Sequence, residues 1–110
     1  LDDIYVTNGG SEALILAVTA LCDDDDEILV FEPFYANYMT FAKTYGAKVV
    51  GVPTSVDNGY HLPSEEMIEK FINGRTKAIL VTNPGNPTGA VYTEEEMKIL
   101  SPYNLAQRKF

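Results

Sequence analysis

Short β-rich runs alternate with helix-patterned segments four times along this chain, and that alternation constrains the fold more than any single residue does. "IYVT" (Ile4 to Thr7), "EILVFE" (Glu27 to Glu32), "KVVGVP" (Lys48 to Pro53) and "KAILVT" (Lys77 to Thr82) read as strands. The interior of "EILVFE" is continuously apolar, the mark of a strand buried on both faces. "SEALILAVTAL" (Ser11 to Leu21) is apolar nearly all round and predicts a well-buried helix. Tyr35, Tyr38, Met39, Ala42 and Tyr45 recur at helical spacing, with Gly46 as a stop. "SEEMIEKFI" predicts a helix capped by Ser64, with Met67, Ile68, Phe71 and Ile72 facing inward. Thr93 and Glu96 have capping-box spacing, and Ser101-Pro102 ends the helix they open. Strands separated by helices, with no internal repeat, predict an α/β fold with a mainly parallel sheet and flanking helices.

Length and charge narrow the functions. The chain has 110 residues, one domain's worth, and a net charge of −8. That charge argues against nucleic acid, which selects basic faces. No apolar run approaches the ~20 residues of a membrane span. The single cysteine, Cys22, cannot form an internal disulfide and reads as a small core residue, which fits a reducing, cytoplasmic setting. The chain begins at Leu1 and reads as an excerpt from something longer. Asp23 to Glu27 fit no EF-hand spacing and are expected to form a solvated turn, so no metal site is expected. His61 is expected at the surface, and Tyr60 and Tyr92 have no evident partner.

Ligands of parallel α/β sheets collect at the carboxyl ends of the strands, and three loops there are unusual. In "TNGGSEA", Gly9 and Gly10 allow a sharp turn. The amides of Gly10, Ser11 and Glu12 would then point out of a helix's first turn, where an anion is favoured; a plain glycine turn capped by Ser11 is the alternative. In "EPFYANY", Tyr35 could lie flat over a planar ligand, although its spacing assigns it equally to the core stripe. The third loop, "TNPGNPTG" (Thr82 to Gly89), is the most specific. Pro84 and Pro87 fix φ, Gly85 and Gly89 permit unusual angles, and Asn86 is left with a directed amide. Pro33 and Pro87 are candidates for cis peptide bonds.

Together "GGSEA", "P-x-Y-x-x-Y" and "NPGNPTG" resemble the pyridoxal-phosphate domain of the class I/II, aspartate-aminotransferase-like, fold-type-I aminotransferases. The likeness runs from about Ile4 to Leu100. It implies a partial cofactor-binding large domain over residues 1–100 and a tail, 101–110, that departs from the family. By the resemblance, Gly10, Ser11 and Glu12 bind the phosphate of pyridoxal 5'-phosphate. Tyr35 stacks on its ring, and Asn86 hydrogen-bonds the phenolic oxygen and helps orient the substrate carboxylate. The complete enzyme would move an amino group between an amino acid and a 2-oxo acid.

The family's Schiff-base lysine, ring-nitrogen aspartate and carboxylate-binding arginine follow the "NPTG" loop in family order, and this chain has no segment matching them. No catalytic residue is therefore assigned, and little or no transaminase activity is expected of the chain alone. The alternative is a non-catalytic module acting by binding or oligomerisation. In the family the strand matching Ile4 to Thr7 is separated from the other three by strands supplied later. Here its edges would be unpaired. Either a rearranged four-stranded sheet, with this strand beside Lys77 to Thr82, or a strand-exchanged homo-oligomer is expected.

Overall fold

The computed structural model describes residues 3–103. Seven elements follow one another: α1 (Gly10–Leu21), β1 (Glu27–Glu32), α2 (Asn37–Thr44), β2 (Lys48–Pro53), α3 (Glu65–Glu69), β3 (Thr76–Leu80) and α4 (Glu94–Leu100), with a 3-10 turn at Val56–Asn58 between β2 and α3. The strands form one parallel sheet in the order β2-β1-β3. The α/β reading holds, with helices on both faces of the sheet.

The central place of β1 follows from its composition. Side chains alternate across a strand, so an apolar run with no polar break must be covered twice. Ile28 and Val30 point into one cluster with Val18 of α1, Ala42 of α2 and Ala47. Leu29 and Phe31 point into the other, with Val52, Leu62 and Ile68. The flanking strands obey the same parity: Ala78 and Leu80 pack on the first cluster, Ile79 on the second. One irregularity interrupts this, since Glu27 pairs with Thr76 while Ile28 pairs with Ala78, leaving Lys77 as the extra residue.

Several helix ends are as their residues predict. Ser64 accepts from the Met67 amide, Thr93 and Glu96 complete a capping box, and α4 stops at Leu100 before Ser101-Pro102. Of the departing tail, residues 104–110 lie outside the described part. The peptides preceding Pro33 and Pro87 are cis, as is that preceding Pro84.

Other expectations are corrected. Ile4 to Thr7 form no strand, and their apolar side chains are exposed, Val6 to 95%. A strand exists only by pairing, and among the described residues β3 pairs with β1 alone, so Ile4 to Thr7 do not dock beside it and the rearranged four-stranded sheet does not form. Helix α1 is apolar on more sides than its neighbours cover: Val18 is buried while Leu16 and Leu21 stand open. Helix α3 ends at Glu69, short of the predicted run to Ile72; Ile68 is fully buried and Phe71 and Ile72, past the helix end, pack on the same cluster, but Met67 is exposed.

The acidic turn is less solvated than expected. Asp26 is buried, accepts from the Asp23 amide at 2.8 Å and lies 3.9 Å from the Lys77 ammonium. Asp25 pairs with Lys48 at 2.6 Å, and the Lys48 hydrogen bond and charge hold its carboxyl below the usual range. Cys22 packs against the first cluster; burial, then the Asp26 charge, push its thiol up, away from the reactive thiolate. Among the described residues, no helix is long and apolar enough to cross a membrane.

Candidate functional site

The loops following β1 and β3 meet at the carboxyl edge of the sheet and enclose a small cleft that opens to solvent. Pro33, Phe34 and Tyr38 form one wall, and Thr82, Asn86 and Tyr92 another. The walls are tied together where the Tyr38 hydroxyl meets Thr82 Oγ1 at 2.7 Å. Phe34 stacks on Tyr38, with ring centroids 6.3 Å apart, and Tyr92 sets its edge against Phe31 at 6.4 Å.

The NPGNPTG loop is closed on itself. The Gly85 amide donates to the Ala90 carbonyl at 2.7 Å and the Gly89 amide to the Gly85 carbonyl at 2.8 Å. Thr88 Oγ1 accepts from the Ala90 amide, and Asn83 Oδ1 accepts from the Tyr92 amide at 3.1 Å. Asn83 and Thr88 therefore serve the loop's own frame; Asn86 lines the cleft, and so does Thr88.

The five candidate residues are not gathered equally. Asn86 lines the cleft; Gly10, Ser11, Glu12 and Tyr35 do not. Tyr35 stands beside it, edge-on to Tyr38 with centroids 5.6 Å apart. Its ring is partly exposed, so the core-packing alternative fails, and its hydroxyl accepts from Asn37 Nδ2. At α1, Gly9 is the N-cap at φ +87° and no side chain caps the helix, so the reading of Ser11 as a cap fails too. Intrahelical bonding begins with the Ala13 amide on the Gly9 carbonyl, leaving the first-turn amides of Gly10, Ser11 and Glu12 without helical acceptors. The Glu12 carboxylate turns back to accept from the Asn8 amide. That donor set suits a phosphate bound by backbone.

Sequence reasoning missed Tyr38, Thr82 and Tyr92 as cleft residues. The second tyrosine of P-x-Y-x-x-Y was the available signal for Tyr38; Tyr92 carried none. It also missed the partner of His61, whose Nδ1 lies 2.9 Å from Glu96 Oε1. Burial pushes the Glu96 carboxyl up, but the amides of Thr93 and Leu62, then His61 and the Thr93 side chain, outweigh it and hold the value at about 2. Folding thus favours the charged form. The stabilisation is fully present above the usual carboxylate value of 4.5 and is lost as pH falls towards 2. Urea midpoints taken from pH 6 down to pH 2.5 should fall more steeply for the natural chain than for E96Q. Parallel slopes would contradict this account.

Residues 2–107 match the model of the family described as aminotransferase class I and II. The chain is 38% identical over 101 residues to a probable aspartate/prephenate aminotransferase of Aquifex aeolicus, covering 92% of this chain and 25% of the relative. It is 40% identical over 94 residues to an aspartate aminotransferase of Thermotoga maritima, covering 86% of this chain and 25% of that one. Among solved structures, a single mutant of Thermus thermophilus aspartate aminotransferase superposes with a TM-score of 0.83 at 39% identity, over 91% of this chain and 25% of its own. An alanine aminotransferase from Pyrococcus furiosus gives 0.82 at 44%, over 93% and 27%. The chain thus spans about a quarter of the length of these relatives. A match along nearly the whole chain, in sequence and in backbone, leaves one assignment: this chain belongs to the class I and II aminotransferases.

Proposed function

We propose that this chain supplies part of the pyridoxal-phosphate site of an aminotransferase that, when complete, moves an amino group between an amino acid and a 2-oxo acid. The observation that carries the reading is the position of Asn86 in the cleft between the loops after β1 and β3. Backbone amides of Gly10, Ser11 and Glu12 would hold the phosphate, aided by the α1 dipole. Tyr35 would cover a ring face, and Asn86 would direct its amide at the phenolic oxygen and help orient the substrate carboxylate. Pyridoxal phosphate, when bound, supplies the electron sink for amino-group exchange. Phe34, Tyr38 and Tyr92 would exclude water from the cleft.

None of the chain's lysines matches the family's Schiff-base position, and Lys48, Lys70, Lys77 and Lys98 are engaged in ion pairs. The chain alone is therefore proposed to bind cofactor without turnover. A specific observation also favours self-association: among the described residues β2 and β3 are open edges, and Ile4, Tyr5 and Val6 are exposed and pair with no strand.

One experiment tests both. The chain is mixed with pyridoxal phosphate and passed over a sizing column with absorbance and light-scattering detection. We expect cofactor to travel with the protein, N86A to bind on the order of tenfold more weakly, the loss of one hydrogen bond to a charged group, and the mass to exceed a monomer's. Equal retention by N86A, or none by either protein, would sink the cofactor reading. A monomeric mass would remove self-association.

A further inference from the structure

Glu96 does more than cap its own helix. Oε1 accepts from His61 Nδ1 and from the Leu62 amide, each at 2.9 Å. Oε2 accepts from the Thr93 amide at 2.8 Å and lies 3.0 Å from the same His61 nitrogen. A carboxylate can only accept, so His61 Nδ1 carries a proton. The Glu96 side chain is 15% exposed, a place where a charge needs such partners.

These donors come from two segments distant in sequence. Leu62 is buried in the second core cluster, on the loop between β2 and α3. Thr93 directly follows Tyr92, whose amide closes the base of the NPGNPTG loop on Asn83. The loop's own bonds at Gly85 and Gly89 lie between those closing points.

We infer that Glu96 is a positioning residue for the loop from Asn83 to Tyr92, a clamp that fastens the loop's returning limb to half-exposed His61 and to buried Leu62 and so steadies the wall carrying Asn86. Its bearing on cofactor binding rests on the reading of Asn86 given above; the clamp itself rests on these contacts alone. A loop held only by its internal bonds would behave differently. Loss of Glu96 would then free the amides of Thr93 and Leu62 and leave the rest protected.

Amide hydrogen exchange, followed by NMR on the 110-residue chain with no cofactor present, separates the two. In E96A we expect exchange at Gly85, Gly89 and Tyr92 to accelerate about tenfold, the scale of losing one helix cap, while β1 amides keep their protection. E96Q, which loses at least one acceptor, should fall between E96A and the natural chain. H61A should accelerate Leu62 most and Gly85 less. Acceleration confined to Thr93 and Leu62 would overturn the clamp. Should E96A lose protection throughout, E96Q and H61A carry the same comparison with the same two outcomes. Because the readout involves no cofactor, failure of the clamp and failure of the cofactor reading are distinguishable.

Discussion

Leu29→Ala should lower the unfolding free energy by about 2–5 kcal/mol, whereas Leu16→Ala should change it by less than about 1 kcal/mol. The residue type is the same and the surroundings are not. Leu29 is 0% exposed at the centre of β1, against Val52, Leu62 and Ile68; Leu16 is 53% exposed on the uncovered side of α1. Removing the Leu29 side chain loses its transfer energy and leaves a void that a sheet paired on both sides collapses into only partly. Urea unfolding of both variants, read by circular dichroism, is the check. Similar losses would mean that α1 is covered in solution, by a second copy or by a different packing of this chain.

A second large effect is expected at the turn between α2 and β2. Gly46 has φ +80°, a conformation that costs a side-chain-bearing residue about 1–3 kcal/mol. A Cβ there would also press on Asp24, 3.3 Å from its Cα and against its carboxylate. The Gly46 carbonyl accepts from the Asp25 amide at 2.9 Å, so a shift of this turn disturbs the entry into β1 as well. Gly46→Ala should therefore cost about 2 kcal/mol or more. Gly10→Ala, in helical backbone with nothing within 4 Å, serves as the nearly neutral comparison. The same thermal or urea midpoint measured in both decides it. Equal midpoints would show that the turn relaxes at little cost.

Leu29's burial is legible because the run Ile28 to Phe31 has no polar face to offer water, so any sheet must place it centrally. The exposure of Leu16 is not legible, because an apolar helix states what it would bury and not what is available to cover it. Ile4 to Thr7 make the same point. Their β-rich composition is real, but strand formation needs a neighbour's amides and carbonyls, and among the described residues β3 has only β1 beside it.

The candidate site divides similarly. Turn chemistry is local, so the proline and glycine content of the NPGNPTG loop points to a constrained loop, and Asn86 does line the cleft. The capping box at Thr93 and Glu96 is equally local, three residues apart, and forms as its spacing predicts. That the same carboxylate also takes His61 and Leu62 could not be read, since 35 and 34 residues separate them from it. Tyr38 and Thr82 meet across 44 residues for the same reason.

Sequence by itself thus determined three of the four strands it predicted, the central burial of β1, the caps at Ser64 and Thr93 and the family, because each depends on residues adjacent along the chain or on composition that admits one environment. Tertiary structure alone decided which apolar faces find cover, that Tyr38 and Tyr92 share a cleft with Asn86, and that Glu96 joins two distant loops. Those outcomes depend on how segments distant in sequence are brought together, and that is set by the packing of the whole sheet rather than by any local pattern.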